Sequence, residues 1–126
     1  MTNATSTQLN PPIFVWEPRD LVAFSTIDEA CHYVEPEDVE RVIGFDSAGT
    51  RFHFAVAPTP IRVSGRNLWA RKGVVVDPTQ MSRSNETELK DILCTALTAA
   101  RRPIDNAAPL QELIRLAGKV FKVNQK

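Results

Sequence analysis

Cysteine is scarce in this chain. Of 126 residues two are cysteine, Cys31 and Cys94, and they are too far apart in sequence for a Cys-x-x-Cys motif. Two separated thiols make neither a disulfide framework nor a four-ligand zinc site. Both fall in segments of helical periodicity, where each reads as a small buried hydrophobe. Histidine is equally scarce, with His32 and His53 the two in the chain. One such side chain among scattered carboxylates does not reach a metal-ligand pattern. Cys31 and His32 are neighbours, but adjacent helical residues point ~100° apart, which excludes a nucleophile–base pair between them. The five glycines are dispersed singly, so no Gly-rich phosphate loop exists. No apolar run approaches the ~18 residues that span a bilayer. These absences argue against an enzyme, a cofactor, a metal, a small-molecule substrate and a membrane partner.

What the chain does contain is an ordinary globular composition, 43% hydrophobic and 24% charged, in a length suited to one domain. Met1 to Asn10 is polar and rich in Thr and Asn. It lacks the basic start and apolar core of a secretory signal, so residues 1–10 read as a disordered tail and residues 11–126 as a single domain of a cytoplasmic protein.

Charge is balanced in total, 15 bases against 15 acids, but not in space along the chain. From Glu17 to Asp46 nine acids stand against two bases, Arg19 and Arg41, a local charge of −7. From Arg51 to Arg83 six bases stand against one acid, Asp77, a local charge of +5. Segregated charge creates local fields that steer partners even where the total cancels.

Element signals follow in order. After Pro11-Pro12, Ile13-Phe14-Val15-Trp16 has strand character. Pro18 makes it an edge strand, or the strand resumes at Leu21-Val22-Ala23-Phe24. Ser25 with Asp28, or Thr26 with Glu29, offers a helix start, the second pair in capping-box spacing. Ile27, Ala30, Cys31 and Val34 form one apolar stripe that Pro36 ends. Glu35 to Asp38 reads as a corner, with one helical turn opened by Pro36. Arg41 to Asp46 and Arg51 to Val56 form a hairpin whose loop uses the positive φ available to Gly49. Phe52, Phe54 and Val56 share one face of its return strand.

Pro58 and Pro60 are expected to break the ladder, which resumes at Ile61-Arg62-Val63. Leu68 to Val76 gives one or two further strands, with Val74-Val75-Val76 central and Asp77-Pro78 as the stop. Asn85 with Glu88 predicts a capped start for the longest helix, whose stripe is Leu89, Ile92, Leu93, Ala96, Leu97 and Ala100. A final helix starts near Pro109, and Gly118 is a candidate to shorten it. The fold class expected is α+β: an antiparallel or mixed sheet of four to five strands, with a short N-terminal helix and two C-terminal helices packed on it, the helices on one face.

Two charged stretches are candidate binding surfaces. From Asp28 to Glu40 the chain carries Asp28, Glu29, Glu35, Glu37, Asp38 and Glu40 with no Lys or Arg. Helix-start positions account for some of these acids. A docking patch for a basic protein accounts for the whole run, since clustered like charge is kept at a cost in self-repulsion and accelerates association with an opposite surface. The second stretch holds Arg62, Arg66, Trp69, Arg71 and Lys72 and is the alternative site, for a nucleic-acid or regulatory binding module. Nucleic acid is disfavoured as partner by the neighbouring acidic half and by the overall charge balance.

The acidic stretch also carries a resemblance. Asp20 to Ala30, followed by Tyr33-Val34-Glu35-Pro36-Glu37-Asp38-Val39, resembles small immunity proteins of bacterial polymorphic-toxin and contact-dependent growth inhibition systems. In these a phrase of the form Tyr-Leu-Glu-Pro-x-Asp-Val precedes a strand and an Asp-x-x-Gly turn. Asp46-Ser47-Ala48-Gly49 and Phe52-His53-Phe54 are similar to that continuation. The likeness spans about 40 of the 126 residues. Val34 stands where Leu is usual, and the Thr/Asn-rich tail has no counterpart. The resemblance implies an antitoxin without catalysis, binding the C-terminal domain of one cognate toxin in a 1:1 complex. Such toxins are often nucleases with basic clefts, which would place the contact on the acidic run.

Overall fold

The computed structural model describes residues 9–17, 20–63, 66–104 and 108–122, and the backbone alone for residues 58–63 and 66–72. The elements in order are β1 (Ile13–Glu17), β2 (Asp20–Phe24), α1 (Ile27–Tyr33), a 3-10 turn (Pro36–Asp38), β3 (Ile43–Phe45), β4 (Arg51–Val63), β5 (Arg66–Ser82), α2 (Glu86–Ala99) and α3 (Leu110–Val120). The strands form one antiparallel sheet of five in the order β2-β1-β3-β4-β5. The α+β class with an antiparallel sheet is thus what the chain adopts. Leu21 to Phe24 does resume the strand, as a separate β2 antiparallel to β1 with Trp16 opposite Leu21.

Strand alternation divides the core in two. Phe14, Leu21, Ala23 and Phe45 point to the side covered by α2 and α3, where they meet Leu89, Leu93, Leu97 and Ile114. Ile13, Val15, Phe24, Phe52 and Phe54 point to the other side, where Ala30 and Val34 of the α1 segment and Val42 cover them. A strand buried on both faces reads as a continuous apolar run rather than an alternating one, which is why Ile13-Phe14-Val15-Trp16 has no polar positions. The helices therefore lie on both faces of the sheet, and the one-face arrangement holds for α2 and α3 alone.

The prolines do not act as the sequence suggests. β4 continues through Pro58, which sits opposite Lys72, with a register shift between Thr59 and Ile61. β5 likewise runs past Pro78 to Ser82. Both cases have one cause. β3 pairs with β4 only at Phe52 and Arg51, and β5 is the sheet's edge. A strand with a free side loses no ladder bond to a residue without an N–H. The valine run is accordingly at the edge rather than the centre, and Val75 is 44% exposed.

Gly44 is required by packing: a Cβ there would run into the ring of the fully buried Phe52 opposite. Gly49 is required by conformation, with φ +87°. Its carbonyl accepts the Asn85 N–H at 2.9 Å, docking the hairpin turn onto the start of α2. Arg51 donates to both Glu88 oxygens at 3.1 and 3.3 Å, a second tie between the same elements. Glu88 is thereby drawn away from the expected capping box. Asn85 makes no side-chain cap bond and instead donates to the Ser82 carbonyl at 2.6 Å.

Both chain ends of the described structure are fastened. Residues 1–8 of the expected tail lie outside the described residues, but Leu9 packs against the α1-side core and the Asn10 N–H donates to Asp46 Oδ2 at 3.0 Å. Leu9 and Asn10, which the sequence assigns to the tail, are thus packed against the domain. At the other end α3 continues through Gly118 to Val120, undiminished by it. The Phe121 carbonyl then accepts the Ala23 N–H at 2.9 Å, capping part of the outer edge of β2.

Candidate functional site

The acidic run is built around α1 and the 3-10 turn. Thr26 caps α1, accepting the Glu29 N–H at 3.1 Å. Glu29 Oε1 reaches back to the Ser25 N–H at 3.0 Å. The Thr26 half of the capping box is therefore formed, while the Glu29 carboxylate bonds the N–H one residue before the cap, that of Ser25 rather than of Thr26. Val34 leaves helical geometry as the C-cap, with ψ 126°. Pro36 then opens the 3-10 turn, whose N-cap Glu35 makes no side-chain cap bond.

This geometry separates the six acids into groups. Asp28 and Glu29 stand in the first turn of α1. Glu35, Glu37, Asp38 and Glu40 follow its end, in and around the 3-10 turn. Asp38 pairs with Arg41 at 3.4 Å on the surface, an exposed contact worth about 0–1 kcal/mol. Among the described residues, the carboxylates of Glu35, Glu37 and Glu40 have no hydrogen-bonding or ion-pair partner.

The structure adds one residue that the acidic run does not contain. Glu17, at the end of β1, joins Tyr33, Val34, Glu35 and Asp38 around a recess of about 260 Å³. Tyr33 is 40% exposed, and its ring packs against Phe24 with centroids 5.1 Å apart. The Tyr33 phenol is pushed up from its ordinary pKa, first by burial, then by the Glu17 charge and its close approach, with Asp20 and Asp38 adding smaller effects in the same direction. Three carboxylates thus crowd one phenol, leaving a recess of negative potential with an aromatic wall.

Glu35 and Asp38 are therefore brought together with Glu17, while Asp28 and Glu29 are not part of that recess and Glu37 and Glu40 do not line it. Sequence reasoning counted Glu17 in the acidic half without assigning it to a site. Its proximity to Tyr33 comes from how β1 packs beside α1, and no local pattern in the sequence records that. Such a recess is shaped for a cationic side chain: carboxylates meet a guanidinium or ammonium, and the ring edge or face covers its alkyl stem.

The remaining candidates are quieter. Burial, with a smaller contribution from Asp28, pushes the Cys31 thiol up to about 11, so it is protonated and unreactive near neutrality. His32 Nδ1 lies 2.8 Å from the Asp28 carbonyl within α1. Among the described residues no group of three or more His, Cys, Asp or Glu is placed to hold a metal ion. No described helix is long and apolar enough to cross a membrane.

Arg62, Arg66, Trp69, Arg71 and Lys72 fall on the outer part of the β4–β5 ribbon, where Arg62 is opposite Asn67 and Thr59 is opposite Arg71. Their side chains lie outside the described residues. Comparison with known proteins finds no matching family model, no significantly similar curated protein and no significantly similar solved structure.

Proposed function

We propose that this chain is an immunity protein, an antitoxin that binds the C-terminal domain of one cognate toxin 1:1 in the cytoplasm and has no catalysis of its own. The observation that carries the reading is the recess of Glu17, Tyr33, Glu35 and Asp38. Its carboxylates outnumber the one described cation beside them, Arg41, so a basic partner surface gains charge pairs without breaking a buried network. The resemblance of Tyr33-Val34-Glu35-Pro36-Glu37-Asp38-Val39 to the immunity-protein phrase points the same way. A nuclease with a basic cleft is the toxin class this surface complements. A standard interface of roughly 1,600 Å² would extend well beyond the recess and take in the exposed Glu37 and Glu40.

The test is co-expression with the C-terminal domain of the toxin encoded beside this reading frame. The expected result is survival of the host and a stable 1:1 complex. Changing Glu17, Glu35 and Asp38 together to Lys should slow association by roughly tenfold or more at low salt and flatten its salt dependence. Rescue and kinetics untouched by that triple change would remove the recess from the mechanism. Salt-dependent binding of duplex DNA or RNA by the isolated protein, lost on changing Arg62, Arg66 and Arg71, would instead favour the nucleic-acid or regulatory module.

A further inference from the structure

β2 leads from the acidic surroundings of Tyr33, near Asp20, to a second concavity of opposite charge. There an open trough of about 810 Å³ runs between Pro11-Pro12, the end of β2 and α3. Its apolar lining comes from Pro11, Pro12, Ile114 and Gly118, and β2 borders it at Ala23 and Phe24. Arg115, Lys119 and Lys122 line it as cations, with Glu112 the single carboxylate among the lining residues. The three cations follow i, i+4, i+7 spacing and so occupy one side of the helix and its extension. Lys119 and Lys122 complement the negative end of α3. Arg115, more than a turn earlier, has no such explanation, and no described acid pairs with it.

Gly118 keeps the trough open. Glycine inside a helix costs about 1 kcal/mol relative to alanine. A Cβ at this position would meet Pro12 Cγ at 3.7 Å, an ordinary contact. Alanine would therefore fit, and a longer side chain would enter the trough.

We propose that this trough docks an acidic peptide segment of a partner protein. An apolar side chain of the segment sits between Pro11-Pro12 and the Ile114–Gly118 stretch of α3, and its flanking carboxylates meet Arg115, Lys119 and Lys122. Charge complementarity selects the occupant. The open side selects a peptide over a small molecule, since small-ligand sites bury most of their ligand's surface. The surface is distinct from the acidic recess and takes a partner of the opposite sign, so the two readings stand or fall separately.

The test is to pan a random short-peptide display library against the full chain at low salt, then measure binding of the enriched sequences by fluorescence anisotropy. The expected result is enrichment of apolar residues flanked by Asp or Glu. Affinity should fall by roughly tenfold or more in Gly118→Leu and in Arg115→Glu/Lys119→Glu, while Gly118→Ala, the folding control, keeps it. Circular dichroism establishes that each variant is folded. Enrichment of basic peptides, no enrichment, or binding unaffected by Gly118→Leu would overturn the proposal. So would dodecanoate binding without peptide binding, which makes the occupant a lipid. Binding gained only when residues 123–126 are deleted would make the occupant the chain's own end, and would overturn it too.

Discussion

Asp46 is the buried charge on which the junction between the chain's start and the β3–β4 hairpin depends. It is 1% exposed and accepts three backbone N–H groups: Asn10 at 3.0 Å on Oδ2, and Ala48 and Thr50 at 2.9 Å each on Oδ1. Removing the carboxylate in Asp46→Ala leaves all three donors without it. A bond to a charged group is worth about 1.5–3 kcal/mol net, and partial access of water to this turn recovers some of that. The expected loss is therefore about 3–5 kcal/mol, large for a single substitution.

Asp46→Asn separates the contributions. Its amide oxygen can still serve Ala48 and Thr50, while its NH₂ faces the Asn10 N–H, so that one bond is lost and the expected cost is about 1–3 kcal/mol. Urea denaturation reads both. With an m-value of about 2 kcal/mol/M, the Ala variant should lose roughly 1.5–2.5 M in midpoint and the Asn variant roughly half that. Hydrogen exchange should accelerate at Asn10 in both variants, and at Ala48 and Thr50 chiefly in Asp46→Ala. Equal costs for the two variants, or a loss under ~1 kcal/mol for Ala, would refute the account of a three-bond staple.

Three further outcomes follow from particular residues. Gly44→Ala should cost about 1–3 kcal/mol by pushing a methyl into the Phe52 ring, and Phe52→Leu in the same chain should recover part of it; strictly additive losses would show that the two do not meet. Arg101 holds φ +61° at the end of α2, where its N–H donates to the Thr98 carbonyl and that of Arg102 to the Leu97 carbonyl, each at 2.9 Å. That is a Schellman ending with arginine in the glycine position, so Arg101→Gly should stabilise by about 0.5–1 kcal/mol in thermal unfolding, and a destabilised variant would contradict it.

The chain has one tyrosine, so absorbance near 295 nm titrates Tyr33 alone. Its midpoint should lie above that of free tyrosine, and Glu17→Gln should lower it while Glu37→Gln leaves it in place. Because the folded-state pKa is raised, the stabilising contribution is present below the unfolded pKa and is lost as pH rises through the folded one. Equal shifts from Glu17→Gln and Glu37→Gln would dissolve the recess as an electrostatic unit.

Local chemistry was enough to read much of this protein. The Thr26 cap of α1, the Pro36 turn, the Gly49 hairpin and the apolar stripe of α2 from Leu89 to Leu97 each depend on residues a few positions apart, and each appears where its pattern lies. The α+β class follows from that same order of elements. The acidic run was legible for the same reason, as a matter of counting.

Tertiary structure decided what depends on pairing between distant segments. Pro58 and Pro78 stay in strands because β4 and β5 have free sides, and strand order is not written in either segment. Helices occupy both faces of the sheet because alternate residues of β1 and β2 are apolar in both directions, a pattern that a single continuous run conceals. Asn85 and Glu88 match a capping box, yet Glu88 goes to Arg51, 37 residues away, since a charged partner across the interface outcompetes a local cap. Glu17 reaches Tyr33 in the same way: β1 and α1 are separate in sequence, and only the packing of one beside the other turns a stretch of acids into a recess.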